Sequence, residues 1–185
     1  MRTLNNPELW SFEIEYAHSK TMEDPRNNSA WNQRWFALHE GRSGVLTLEK
    51  AREESNYALS GANIDPFNEC PWRYLIGVLM EQWRCARKSG GTDCTETITE
   101  LVHEIIVKIK GMYQLWEEQP PSEEHPICTC VSLLSALVDL LVLFKDEKDL
   151  LAEAKDIVGD LTIEDPVRRK YWRMREDEIS NLLLK

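Results

Sequence analysis

EDPRNNSAWNQRW, residues 23–35, is the stretch on which the fold turns, because its skeleton returns twice. The chain reads DPFNECPWRYLI at 65–76 and DPVRRKYWRMRE at 165–176. In every copy an Asp-Pro pair stands seven positions ahead of a tryptophan, Trp31, Trp72 and Trp172 in turn. The residue before a proline is pushed out of the helical region, so Asp-Pro ends one helix and opens a turn. Asn27 and Asn68 then offer a side-chain oxygen to an unpaired amide of the next helix, which puts Trp31 and Trp72 at its fourth position. Pro71 is no obstacle, since the first helical turn needs no backbone donor. In the third copy Arg168 replaces the asparagine, and Asp165 with Pro166 at the first helical position is the alternative cap.

Each phrase, at 24–35, 65–76 and 165–176, reads as the joint of a helical hairpin whose tryptophan wedges the entering helix onto its neighbour. Trp31 and Trp72 are 72 − 31 = 41 residues apart, a period suited to hairpins stacked in a solenoid. Trp172 comes 172 − 72 = 100 residues later, so the intervening hairpins lack the phrase or carry insertions.

The rest of the chain reads as helix. Asn6 and Pro7 open a first helix with Trp10, Ile14 and Ala17 on one side. A third helix is expected from about Leu46 to the Gly61 region. A fourth carries Trp72, Leu75, Ile76, Leu79, Met80 and Trp83 as one stripe, and a fifth carries Ile98, Leu101, Val102, Ile105, Ile109, Met112 and Trp116. EEQPPSEEHP, 117–126, is a proline-broken loop. A short helix around Leu150 to Val158 precedes a last one from about Asp165. The fold class is therefore all-α, a superhelix of helical hairpins over 1–185 as one solenoid segment.

Composition narrows the function. Against 22 Lys and Arg stand 32 Asp and Glu, a formal charge of −10, which argues against nucleic acid or an anionic membrane as partner. The apolar run Ile127 to Phe144 contains Asp139, costly in lipid, and is read as a buried helix with no membrane span. Cys70, Cys85, Cys94, Cys128 and Cys130 follow no disulfide-scaffold spacing, and no secretory leader opens the chain, so the expected compartment is cytoplasmic. His125, Cys128 and Cys130 match no zinc spacing, and residues two apart on a helix face different ways. His18, His39 and His103 lack a neighbouring Cys or paired carboxylate, and no phosphate loop or nucleophile elbow occurs. No residue is assigned to catalysis or to a metal.

The form Asn27-x-x-x-Trp31-x-x-Arg34, with Asn68, Trp72 and Trp172 in the ordered phrases around it, resembles the repeat of protein prenyltransferase α subunits. The likeness runs over nearly the whole chain and is to the C-terminal part of the α subunit shared by protein farnesyltransferase and type I geranylgeranyltransferase. It implies a right-handed α-α superhelix wrapped around a β subunit as a heterodimer. That enzyme joins a farnesyl or geranylgeranyl group by a thioether to a cysteine near the C-terminus of CaaX proteins. The resemblance places the zinc in the β subunit, expects magnesium for the assembled enzyme, and leaves no cofactor to this chain. It gives Asn27, Trp31, Arg34, Asn68, Trp72 and Trp172 structural roles, with Arg34 in polar contacts that tie a hairpin together. The family's active-site lysine and tyrosines belong to Lys-Asn-Tyr triplets. Here the matching triplets are Arg26-Asn27-Asn28 and Phe67-Asn68-Glu69, so the chain alone is expected to be inactive. The repeats carrying the lysine lie upstream in the family, and the expectation is a C-terminal portion with those repeats missing, the alternative being a shortened paralogue. A non-catalytic helical adaptor, or the α subunit of the Rab geranylgeranyltransferase, is the alternative.

Overall fold

The computed structural model describes residues 7–40, 45–89, 92–118 and 129–185. Among them there is no strand. The α-helices are α1 (Pro7–Glu23), α2 (Asn28–Glu40), α3 (Leu48–Ile64), α4 (Glu69–Ser89), α5 (Thr92–Glu117), α6 (Val131–Leu141), α7 (Lys148–Glu164) and α8 (Arg169–Leu183). A short 3-10 turn, Pro166–Arg168, leads into α8. The all-α fold class expected from the periodicity is what the chain adopts.

Two compact units divide the chain, residues 1–102 and 103–185, with the boundary inside α5. In the first unit α1 packs on α2 and α3 on α4, with α2 also meeting α4. Its core is rich in alanine and aromatic residues: Ala37, Ala51, Ala58 and Ala62 are fully buried, beside Trp31 and Trp72. Small side chains let helices approach closely, and the large rings fill what remains. In the second unit α6 packs on α7 and α7 on α8, over Leu133, Leu140, Leu141, Leu151, Val158 and Trp172.

Helix boundaries follow local chemistry. The third helix begins at Leu48 rather than Leu46, because the Thr47 hydroxyl accepts from the Lys50 amide at 3.2 Å and caps it. Leu46 is instead buried ahead of the helix, and its carbonyl accepts from Gln82 Nε2 at 3.0 Å. α7 is longer than the expected 150–158. Leu151, Ala154, Val158 and Leu161 continue one buried stripe past Gly159, a glycine whose missing side chain faces open space. α6 is 11 residues long, and among the described residues no helix is long and apolar enough to cross a membrane. Its Asp139 accepts from Arg175 Nη2 of α8 at 2.8 Å. The cap expected at Asn6 and most of the loop 117–126 lie outside the described residues.

α4 buries a wider face than its apolar stripe. Trp72, Leu75 and Leu79 are inside, but so are Cys70, Tyr74, Val78, Gln82 and Ala86, while Ile76, Met80 and Trp83 are only half-buried. The cause is contact with both α2 and α3. Tyr74 and Gln82 can go inside because each polar tip finds an acceptor there.

Gly61 is where α3 yields to an indole. A Cβ at this position would stand 3.0 Å from Trp31 Cη2 and 3.2 Å from Cζ2, whereas at Gly77 it would meet Trp35 no closer than 3.6 Å. Alanine favours a helix over glycine by about 1 kcal/mol, but overpacking a rigid ring costs about 1–3 kcal/mol. Gly61→Ala should therefore lower stability by about 1 kcal/mol, while Gly77→Ala leaves it unchanged or raises it. Denaturant unfolding of the pair checks this, and equal shifts would deny the close contact.

Candidate functional site

The first two joints share one local design. At the first, the Asp24 carbonyl accepts from the Asn27 amide at 3.0 Å and the Asp24 carboxylate accepts from the Arg26 amide at 2.9 Å. At the second, Asp65 does the same for Asn68 (3.1 Å) and Phe67 (3.2 Å). Both are β-turns with proline at the second position, where its fixed φ fits, tightened by an Asx turn. Asn27 Oδ1 then caps α2 through the Ala30 amide at 3.2 Å, and Asn68 Oδ1 caps α4 through the Cys70 amide at 3.1 Å.

The tryptophans close these turns. Trp31 Nε1 donates to the Pro25 carbonyl at 2.9 Å, and Trp72 Nε1 donates to the Pro66 carbonyl at 2.8 Å. Each proline carbonyl is thereby satisfied by an indole six residues on, and the buried ring leaves no donor unpaired. The third joint uses a different acceptor. Trp172 Nε1 donates to the Asp165 carboxylate at 2.9 Å, and the same carboxyl group takes the Arg168 amide and guanidinium. Asp165 thus caps the 3-10 turn with Pro166 at its first position, while Arg168, in the place of asparagine, makes no side-chain cap for α8.

In the first unit one joint is fastened to the next. Asn68 Nδ2 donates to the Pro25 carbonyl at 2.7 Å, the same oxygen that Trp31 uses. Arg26 reaches the Asp65 carboxylate through Nη2 at 2.7 Å and Nε at 2.9 Å. Arg26 is largely exposed, so that pair adds little; the Asn68 bridge, 5 % exposed at the residue, is the tighter link.

Beneath the joints lies a buried polar network. Arg34 of α2 forks onto Glu54 of α3, Nε to Oε2 at 2.7 Å and Nη2 to Oε1 at 2.8 Å. Tyr74 of α4 donates its hydroxyl to Glu54 Oε2 at 2.7 Å, and Lys50 Nζ stands 3.2 Å from Oε1. The Arg34 guanidinium lies 3.9 Å over the Tyr57 ring, and the Trp31 ring sits between Tyr57 and Tyr74. Burial alone would raise the Glu54 carboxyl, but Arg34, Tyr74 and Lys50 outweigh it and hold Glu54 below the usual carboxylate range. Burial likewise opposes the charge on Arg34, and the fork onto Glu54 more than restores it. The Tyr74 hydroxyl is pushed far above its ordinary value by burial and by the neighbouring carboxylate, so it stays a donor. This geometry makes Arg34 a tie among three helices. In the second joint the corresponding position is Leu75, fully buried, and Arg73 points outward toward Glu69 at 3.8 Å.

Periodicity and motif spacing did not single out Glu54, Tyr57 or Tyr74. The available signal was a carboxylate on the alanine face of α3, between Ala51 and Ala58, where a lone charge requires a partner. Among the described residues no group of three or more His, Cys, Asp or Glu stands close enough to hold a metal ion. Cys70, Cys85 and Cys130 form no disulfide, and His125 and Cys128 lie outside the described residues. His18 meets the Tyr57 hydroxyl at 3.1 Å, and His39 bridges the Trp35 carbonyl and Glu81. Beside the joints, between α2 and α4, a 220 Å³ hollow is walled by Trp31, Trp35 and Tyr74 and edged by Asn28, Asn32 and Arg73.

Asp165 gives the third joint a pH signature. Burial would raise its carboxyl, but the Trp172 indole N–H and Arg168 prevail and hold it below the ordinary value. Such a group contributes stability that is present above the unfolded carboxylate range, about pH 4, and is lost as pH falls through the lower native value. Asp165→Asn should flatten the fall in unfolding free energy below about pH 4 while keeping the helix content at neutral pH. Urea unfolding from pH 2 to 7 measures it, and an unchanged acid slope would remove Asp165 from the account.

Residues 10–40 match the protein prenyltransferase alpha subunit repeat. The chain is similar to the protein farnesyltransferase/geranylgeranyltransferase type-1 subunit alpha of Arabidopsis thaliana, 29% identical over 92% of this chain and 50% of that protein. It is 31% identical to the Solanum lycopersicum subunit of the same name, over 95% of this chain and 48% of that protein. With the Pisum sativum subunit it shares 40% identity over 40% of this chain and 22% of that protein. The chain spans about half the length of the curated relatives that it matches over most of its own.

Proposed function

Taking as premise that this chain is a relative of the protein prenyltransferase α subunits, we propose that it serves as the helical scaffold to which a catalytic prenyltransferase β subunit binds. The observation that carries the reading is the fastened pair of joints, Asn68 to the Pro25 carbonyl above the Arg34–Glu54–Tyr74 network. A buried, fully paired polar network fixes how helices stack and does little chemistry, because its groups are already committed to one another. Such a stack offers a preset surface, and association with a preset surface loses little ordering entropy.

The reaction in this proposal belongs to the assembled heterodimer. A cysteine thiolate near the C-terminus of a CaaX protein forms a C–S bond to the farnesyl or geranylgeranyl carbon, and the C–O bond to diphosphate breaks. Zinc would be held by the β subunit, where it would supply a lowered thiol pKa, and magnesium would offset the charge of the diphosphate. What this chain's own residues do is hold α2, α3 and α4 in register and present the hollow edged by Asn28, Asn32 and Arg73. The triplets Arg26-Asn27-Asn28 and Phe67-Asn68-Glu69 carry no lysine or tyrosine to set beside a diphosphate. The proposed setting is the cytoplasm.

The test is co-expression with β subunits of the farnesyl, type I geranylgeranyl and Rab enzymes. A stoichiometric complex with a farnesyl or type I geranylgeranyl β subunit is the expected result. Association with the Rab enzyme's β subunit alone would move the chain to that enzyme. Failure to associate with any of the three would leave the adaptor reading standing.

A further inference from the structure

The second unit contains a groove of about 790 Å³ among α5, α6 and α7 whose character differs from everything around the joints. Its α7 wall presents Asp149, Glu153, Asp156, Asp160 and Glu164, spaced by four, three, four and four residues and hence on one helix face. At 1.5 Å per residue that row is about 22 Å long. Glu117 of α5 adds a carboxylate opposite. Among the described lining residues the one cation, Lys110, is already paired with Glu153 at 2.7 Å. Between these walls the floor is apolar, built from Leu134 and Leu137 of α6 with Ile157 of α7.

We propose that this groove docks a basic amphipathic segment of a partner protein, its lysines and arginines along the α7 carboxylate row and its apolar side on the α6 floor. The occupant is fixed by complementarity. A row of carboxylates on one side of an apolar trough raises the local concentration of cations and opposes any acidic partner. A single metal ion does not suit it, because no three carboxylates among the described residues converge as metal ligands do. The segment joining α5 to α6 does not supply the charge either, since its acidic residues are Glu118, Glu123 and Glu124. A helix with basic residues at spacings of three and four would match the row residue for residue over four turns. The groove's described lining falls within residues 110–164, all in the second unit. The proposal is independent of which prenyltransferase partner the chain serves.

The experiment uses the full 185-residue chain and a labelled peptide of about 15 residues with lysine and leucine on opposite helix faces. Binding is followed by fluorescence anisotropy across a salt series. The expected result is saturable binding at one site that weakens steeply with salt and falls about tenfold or more in Asp156→Lys/Asp160→Lys, whose side chains are exposed and whose replacement leaves helix content intact. The same change of charge in Glu15→Lys/Glu96→Lys, outside the groove, should alter binding by less than about twofold. Replacing the peptide's leucines by serine should abolish binding although its charge is unchanged. Equal loss in both double variants, undiminished binding of the serine peptide, or no binding at low salt would each overturn the proposal.

Discussion

Trp72→Ala is expected to remove about 3–5 kcal/mol of unfolding free energy, the range for truncating a large buried aromatic. Trp72 is 2% exposed. Its ring fills the start of α4, and its indole N–H is the donor held by the Pro66 carbonyl. Alanine would leave a cavity and an unpaired carbonyl together, and the two losses act at one place. Trp72→Phe separates them. It keeps most of the ring and drops the donor, so a loss of about 1–2 kcal/mol is expected. Chemical denaturation of both variants decides it, and a loss under about 1 kcal/mol for the alanine variant would mean that the indole is not a wedge.

The second large effect is expected at Arg34. Arg34→Ala leaves Glu54, 1% exposed, with the Tyr74 hydroxyl and Lys50 but without its forked countercharge. Removing one partner of a buried pair costs about 3–5 kcal/mol, chiefly as the penalty of the stranded charge. That origin has a signature. Arg34→Met with Glu54→Leu and Tyr74→Phe takes away charges, fork and hydroxyl together, and should be more stable than Arg34→Ala alone by about 2 kcal/mol or more. Equal losses would show that packing and the Tyr57 contact, rather than the stranded carboxylate, set the cost.

The turn chemistry is local, which is why it is written so plainly in the sequence. Asp-Pro fixes a φ angle and removes a donor, asparagine two residues after the proline can cap, and a tryptophan four residues beyond the cap can reach back. Each of these facts needs only neighbours within seven residues. The partners of Arg34 are another matter. Glu54 stands 20 residues beyond Arg34, and Tyr74 another 20 beyond Glu54. Only the packing of α2 on α4 and α3 on α4 brings them to one point. A stripe of apolar residues could not reveal that α4 also buries Tyr74 and Gln82, because hydropathy gives no credit for a partner waiting inside. The third joint shows the limit of motif reading in another way. There the indole keeps its register but changes acceptor, from a proline carbonyl to the Asp165 carboxylate, and the spacing of seven is the same in all three copies.

The all-helical class was likewise legible, because sustained spacings of three and four residues admit no strand. The groove on α7 was not. Carboxylates spaced by three and four on a helix are ordinary on an exposed face, and these become a candidate site only through the apolar floor that α6 lays beside them.

Hydrogen exchange at the indole nitrogens tests the central claim, that these tryptophans fasten helical joints, most directly. In a two-dimensional NMR spectrum the Nε1–H signals of Trp31, Trp72 and Trp172, assigned by single replacement, should persist in D2O and exchange only with global unfolding. Loss of those signals within the dead time of the experiment, at the rate of a free indole, would contradict it.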